Sequence, residues 1–400
     1  MRSIRYSIFG FAMILVYSLV LPSIVEIPIG LFLGIAMLFT KNRLKIKVSF
    51  SLLVVTLFSA SFFLLDSYTG YSVPRAIAYS LTIVLMYLFG MNWGTALDHD
   101  SYKKYVLFAV RVISYGLAFY ILACILYTML RGYEINAFNR SPYQIWNGLK
   151  GNGTHFATMS SLPIAVSCFD MLNKKGRKRF AAVAIFTLLF ISNMMMANRI
   201  IFVFVAAFLG FSVILTYKDS GFDKKAKVLL IASILLLLAY IVYQFNLFGI
   251  QTLLLRLPVF RRIQTLDALG YEDPRLERQL YVLRNFFKHT KGGGFFNAEV
   301  GEVHNVWLDV YDYAGMFPFL MIALFTISVL SYGVKCFNAS SNDTVAAYLL
   351  VVLFSYLLSF VEEPVMRSCE AYFVLFFFIC GILHTYHKTY ERRQAKKGNE

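Results

Sequence analysis

The chain has 400 residues, of which 58% are hydrophobic and 15% charged, and its formal net charge is +16. The apolar residues gather into blocks long enough to cross a hydrocarbon core of about 30 Å, which excludes a water-soluble globular domain. Nor does the positive balance read as nucleic-acid binding, because the lysines and arginines form short clusters against the ends of the apolar blocks and carry no recognition motif.

A bilayer-spanning segment must satisfy its backbone polar groups internally, so blocks of this length predict α-helices, whereas a barrel would show short alternating strands. The expected fold class is all-α integral membrane, a single polytopic domain over 1–400. About twelve spans are predicted, at 6–22, 24–40, 48–65, 76–96, 105–129, 156–171, 180–196, 200–217, 228–248, 305–333, 345–361 and 370–386. Only Pro22-Ser23 separates the first pair and only Ala197 to Arg199 separates the seventh from the eighth, so either pair read as one bent element lowers the count. Alternate connections hold the basic clusters: Lys41 to Lys47, Lys103-Lys104, Lys174 to Arg179, Lys218 to Lys227, and the tail from Arg392 to Lys397. The positive-inside rule places these in the cytoplasm, with both termini, in the inner membrane. The first block lacks an A-x-A-like cleavage site and is expected to be retained. The five cysteines are scattered without CxxC spacing and read as packing residues.

Two outer connections are long, and a long loop on a compact protein usually carries function. The loop at 131–155 holds Asn136, Asn139, Arg140, Tyr143, Trp146, Lys150 and a small-residue run from Gly151 to Thr154. The loop at 249–303, between spans nine and ten, is rich in arginine and contains Gly292, Gly293 and Gly294, which without a following Lys-Ser/Thr form a turn and no phosphate loop. Within it Leu276, Leu280, Leu283, Phe286 and Phe287 have the spacing of an amphipathic helix, with Arg275, Arg278 and Arg284 on the other side or its edges. Such a helix lies on the outer leaflet, its arginines either snorkelling or forking onto a phosphorylated head group.

Three further residue groups bear on chemistry. Arg199, in Met196-Ala197-Asn198-Arg199-Ile200, lies between two apolar blocks with no acidic neighbour in sequence, as an interfacial anchor or as a cation facing an anionic substrate. His304 leads a helix whose Trp307, Tyr311 and Tyr313 fit an interfacial aromatic belt, and its near-neutral titration suits general acid–base work. Asp309 and Asp312 follow one turn apart, placed to orient His304 or pair with an arginine. No outer Asp-x-Asp pair or His/Cys cluster offers a metal site, and Asp98-His99-Asp100 falls on the cytoplasmic side.

Taken in order, these pieces resemble the O-antigen ligase and Wzy-type polymerase superfamily of bacterial surface-polysaccharide enzymes. The family's pattern at the re-entry point is His, then Asn, Ser or Gln, nine residues, Gly, two residues, and Gly, Thr or Tyr. His304, Asn305 and Gly315 match it, and Pro318 departs from it. Asn198-Arg199 is similar to the family's Ser/Thr-Arg at an outer helix end. The run from Arg275 through Tyr281 to Gly294 is similar to its Arg, aromatic and Gly-x-Gly stretch, with Arg275 and Arg278 both open as the counterpart. The resemblance is strongest over 150–333. It implies a glycosyltransferase-C-like helical fold, no cofactor and no metal. It also implies transfer of glycan from an undecaprenyl-pyrophosphate-linked donor to an acceptor hydroxyl, on a lipid A core or a growing polysaccharide, at the outer face. On that expectation His304 and Arg199 are catalytic, Arg199, Arg275 and Arg278 hold the pyrophosphate, Asn305, Asp309 and Asp312 support them, and membrane lipids are the other partners. The rival expectation is a polysaccharide or lipid-linked-oligosaccharide transporter, which needs ionisable residues along the interior of several spans; here they gather at one rim.

A reporter active only outside the cytoplasm, fused after residue 150 or 290, is expected to give signal, and the same fusion after residue 176 or 222 to give none. Signal at 176 overturns the sidedness.

Overall fold

The structure is a computed structural model that describes residues 11–38, 48–65, 73–93, 99–136, 139–220, 254–268, 274–340 and 343–397, with Asn246, Gly249 and Thr252 between them. The described residues are about 80% helical, and no strand occurs among them. After a helical stretch at 11–18, the helices run α1 (Ser23–Leu38), α2 (Phe50–Leu65), α3 (Val73–Asn92), α4 (His99–Leu130), α5 (Gly153–Asn173), α6 (Gly176–Met195), α7 (Ile200–Tyr217), α8 (Pro258–Ala268), α9 (Arg275–Arg284), α10 (Phe295–Val300), α11 (Val306–Ala314), α12 (Met316–Ala339), α13 (Thr344–Glu362), α14 (Val365–Ser368) and α15 (Glu370–Lys397).

Among the described residues six helices are long and apolar enough to cross a membrane: α3, α4 from Ser101, α6, α7, α12 and α13. Shorter apolar segments lie at Ile24–Leu33, Phe50–Leu65 and Glu370–Tyr386. The chain is therefore a multi-pass α-helical membrane protein. The span expected at 228–248 lies outside the described residues, as does the start of that at 6–22. Two other expected spans change. The helix over 153–173 has the length but falls short of that apolarity, because its Ser, Thr, Asn and Asp side chains face other helices; Phe156 to Asp170 is continuously buried. The span expected at 305–333 is two helices broken at Gly315, whose φ of 90° ends α11, so the membrane-crossing part begins at Met316.

The described chain divides into two compact units, one of Met1–Tyr120 with Asp273–Glu400 and one of Ile121–Glu272. In the first, α3 lies against α15, α12 lies against α2 and α13, and α11 packs on α12. The approach of α3 and α15 is backbone to backbone: a Cβ built on Gly90 would stand 2.0 Å from the Phe378 carbonyl oxygen, and one on Gly381 2.3 Å from that of Tyr87. Small residues permit this because two helices in lipid gain from close van der Waals contact, having little hydrophobic drive to associate. Around it, stacked Phe89 and Phe378 and edge-on Trp93 fill the flanks. At the start of α13, Asp343 accepts from the Val345 N–H at 3.0 Å, pairs with Lys103 at 2.9 Å and accepts from the Tyr386 hydroxyl, which ties α4, α13 and α15 together. In the second unit α5 is central, covered by α6 and α7. The five cysteines are free and buried, as packing residues would be.

Gly381→Val drives its side chain into the α3 backbone and is expected to cost at least about 1–3 kcal/mol, the usual range for overpacking, seen as a lower melting temperature in detergent and reduced abundance. Gly210→Val, where nothing lies within 4 Å of the added Cβ, is the comparison and should be near neutral.

Candidate functional site

The segment from Arg275 to Gly315 folds as a small layer with its own core of Val282, Phe296, Val303, Leu308 and Tyr311, backed by Phe286 and Phe319. Tyr311 is buried in this core and Tyr313 is buried against Arg367, which donates to the Tyr313 hydroxyl and lies 4.5 Å from its ring centroid. They are core residues and not part of an aromatic belt. Trp307 donates to the Thr326 hydroxyl at 3.0 Å.

The glycine run is a docking turn. Gly292, Gly293 and Gly294 all have positive φ, and the Gly293 and Gly294 N–H groups donate to the Tyr313 and Asp312 carbonyls at 3.1 and 2.8 Å. Gly292 meets Gly315 so closely that a Cβ on it would lie 2.6 Å from the Gly315 nitrogen. Asp312 completes the turn: its two carboxylate oxygens accept the Phe296 and Asn297 N–H groups at 2.8 and 3.0 Å, capping α10. Asn305 caps α11 by accepting from Leu308. Asn305 and Asp312 thus build the scaffold, and the Asp312 carboxylate is turned to α10 instead of to His304 or an arginine. Asp309 is buried, with its Oδ2 lacking a hydrogen-bond partner.

His304 stands where the loop enters α11, with the uncommon φ of 57°. Its backbone is held by α9: Gln279 Nε2 donates to the His304 and Val361 carbonyls at 3.3 and 3.2 Å, and Arg278 donates to the Glu302 carbonyl at 3.2 Å. The imidazole Nδ1 is 3.7 Å from the Oε2 of Glu363, and Nε2 is 4.0 Å from Glu302. Glu363 closes α13 and its side chain is only 2% exposed. On its other oxygen it meets Arg275 Nη2 at 3.1 Å, while Arg275 Nη1 donates to the Glu362 carbonyl at 3.2 Å. A carboxylate removed from water in this way demands nearby positive charge, and Arg275 is placed to supply it.

Glu363, Glu362, Gln279 and Arg367 escaped the sequence reasoning. The available signal was Glu362-Glu363 at the end of an apolar block, where paired acids at a span terminus are costly and usually functional. The expected amphipathic helix is present as α9, with its leucines on an outward face. Leu276, Leu280, Leu283 and Phe287 are exposed, Val282 is the buried residue, and Arg275 turns to Glu362 and Glu363. Further along, Glu299 accepts from Lys288 at 2.7 Å and from Tyr281, which holds its carboxyl below the usual range and raises Lys288.

Arg199 belongs to the second unit, at the turn between α6 and α7. Ala197 there has φ 52°, and the buried Asn198 donates to the Gly153 carbonyl at 2.9 Å and to Asn193 at 3.2 Å. Arg262 of α8 donates to the Ala197 carbonyl at 2.9 Å, so a second cation, unmarked in the sequence, shares this turn. The first unit brings together His304, Arg275 and Arg278; Arg199 lies in the second unit. Among the described residues no group of three His, Cys, Asp or Glu side chains is placed to hold a metal ion.

No protein-family model matches the chain, and no curated protein matches it significantly. Fold and composition together define a multi-pass α-helical membrane protein carrying a His–Glu–Arg cluster in a small layer beside its bundle.

Asp312→Ala orphans the buried Phe296 N–H and the half-buried Asn297 N–H at the start of α10, a loss of about 1–3 kcal/mol for the buried one. Amide exchange over 292–300 should accelerate while exchange in α13 and α15 is unchanged; unaltered exchange at Phe296 and Asn297 would remove Asp312 from the scaffold.

Proposed function

We propose that the protein is a membrane glycosyltransferase of the O-antigen ligase or polymerase type, acting at the outer face of the cytoplasmic membrane on an undecaprenyl-pyrophosphate-linked glycan. One observation carries the acid–base half of this proposal: the buried Glu363 carboxylate has His304 Nδ1 at 3.7 Å and Arg275 at 3.1 Å. The donor class comes from the resemblance around His304, Asn305 and Gly315 and from the cations Arg199 and Arg278.

In this mechanism the acceptor oxygen attacks the anomeric carbon as the bond from that carbon to the pyrophosphate oxygen breaks, inverting its configuration. The acceptor proton passes to Nε2 of His304, and the lipid pyrophosphate leaves with the electron pair. The imidazolium so formed faces Glu363 through Nδ1, an attraction strengthened by exclusion from water. Arg275, already engaged by Glu362 and Glu363, positions the carboxylate. Arg278, with no acidic partner among the described residues, is the fork that this unit offers to the pyrophosphate. Two acceptor classes fit equally, a lipid A core and a growing polysaccharide.

Purified protein with lipid-linked donor, acceptor and a metal chelator tests this. His304→Ala should lower turnover by about 10²–10⁴-fold at normal protein abundance, while His289→Ala changes it little. Glu363→Gln, nearly isosteric, should lower kcat by about tenfold and leave KM for the donor unchanged, whereas Arg278→Lys should raise KM. Full turnover by His304→Ala would remove the histidine from the mechanism.

A further inference from the structure

The loop following α4 is a tight hairpin whose conformation points to a location. Tyr143 and Lys150 form a bridge, Gln144 N–H donates to the Leu149 carbonyl at 2.8 Å, Gly151 N–H to that of Pro142 at 2.8 Å, and Gly148 N–H to that of Gln144 at 2.9 Å. Two more donors turn to α4: Tyr143 N–H to the Thr128 hydroxyl at 2.7 Å and Ile145 N–H to the Cys124 sulfur at 3.3 Å. The hairpin therefore does not project from the end of α4 but folds back along its last two turns. Along this one helix, Cys124 is twenty residues beyond Lys104, about 30 Å at 1.5 Å per residue, which is the thickness of a hydrocarbon core. The hairpin tip thus sits at the hydrocarbon boundary at the far end of the span.

We infer that this hairpin is seated in the bilayer, with Trp146 and Leu149 in contact with lipid at the boundary between acyl chains and head groups. Irregular backbone is tolerated at that depth only when its polar groups find protein partners. The recruitment of a thiol sulfur as acceptor for Ile145, where water would serve better at an exposed loop, fits that requirement. The tip presents Trp146, 40% exposed, and Leu149, 64% exposed. The last turns of α4 also expose Leu126, Met129 and Leu130, and Lys150 follows Leu149 in the chain. An indole at the interface with a lysine beside it matches the belt that anchors proteins in bilayers. A sugar platform would instead pair the ring with free amides. Here Asn147 Nδ2 donates to Gln144 Oε1 at 2.8 Å and Asn147 Oδ1 accepts from Leu149 at 2.9 Å, so those groups are engaged inside the hairpin. This inference holds whatever reaction the protein performs.

The test uses the full chain in phosphatidylcholine vesicles and the difference in tryptophan fluorescence between it and Trp146→Phe. That difference should be quenched about twofold or more by lipids brominated near the head-group end of the acyl chain and by less than about a tenth by iodide, as for an interfacial indole. Strong quenching by iodide would overturn the inference, and relief of iodide quenching by a soluble oligosaccharide would replace lipid with glycan. Leu149→Cys provides a second readout, since the native cysteines are buried. In vesicles an uncharged maleimide should label it much faster than a charged one, while Glu134→Cys reacts alike with both. Equal rates at Leu149→Cys would place the tip in water.

Discussion

Hydrocarbon offers no hydrogen bonds to a backbone, and the ways this chain meets that constraint account for most of its architecture. Inside the helices the demand is met locally, and α3 and α15 can approach until Gly90 and Gly381 touch, because no side chain is needed to shield polar groups already paired. Where the helical ladder stops, other donors and acceptors take over. Asn305 caps α11, Asp343 caps α13, and Asp312 caps α10 with both carboxylate oxygens. At these three helix starts a named polar side chain takes up the backbone donors.

The cluster around His304 follows from one of these helix ends. Glu363 terminates α13 and is nearly removed from solvent. A lone buried carboxylate is expensive, so its retention requires charge compensation. Arg275 supplies it from α9, and α9 in turn holds the His304 carbonyl through Gln279 and the Glu302 carbonyl through Arg278. A single helix therefore ties the acid, the imidazole and a cation into one rigid assembly, the arrangement an acid–base site needs to keep its geometry during turnover. The left-handed backbone of His304, uncommon for a residue with a Cβ, is maintained by the same contacts.

The second unit applies the same logic at Arg199. The positive φ of Ala197 turns the chain sharply between α6 and α7, and Asn193, Asn198 and Arg262 occupy the polar groups that the turn leaves. What sequence inspection marks as an isolated arginine is therefore part of a braced turn carrying two cations, and the bracing comes from residues with no local signature.

The amino-acid sequence by itself determined the class of protein, since long apolar blocks in lipid can form only helices, and it marked His304, Arg199, Arg275 and Arg278 because ionisable residues at the rim of a bundle are rare and conspicuous. It also indicated a turn at Gly292 to Gly294. Only the tertiary structure decided which side chains meet. Glu363 lies 59 residues beyond His304, and no periodicity links them. Tyr311 and Tyr313 look identical in sequence whether they line a membrane interface or, as here, are buried against other parts of the chain. The break at Gly315 was hidden because apolar residues continue through it, and it exists because the backbone of Gly292 needs the space. Hydropathy reports how each residue partitions between lipid and water; contact, burial and charge pairing depend on neighbours brought in from far along the chain, and those decided the site.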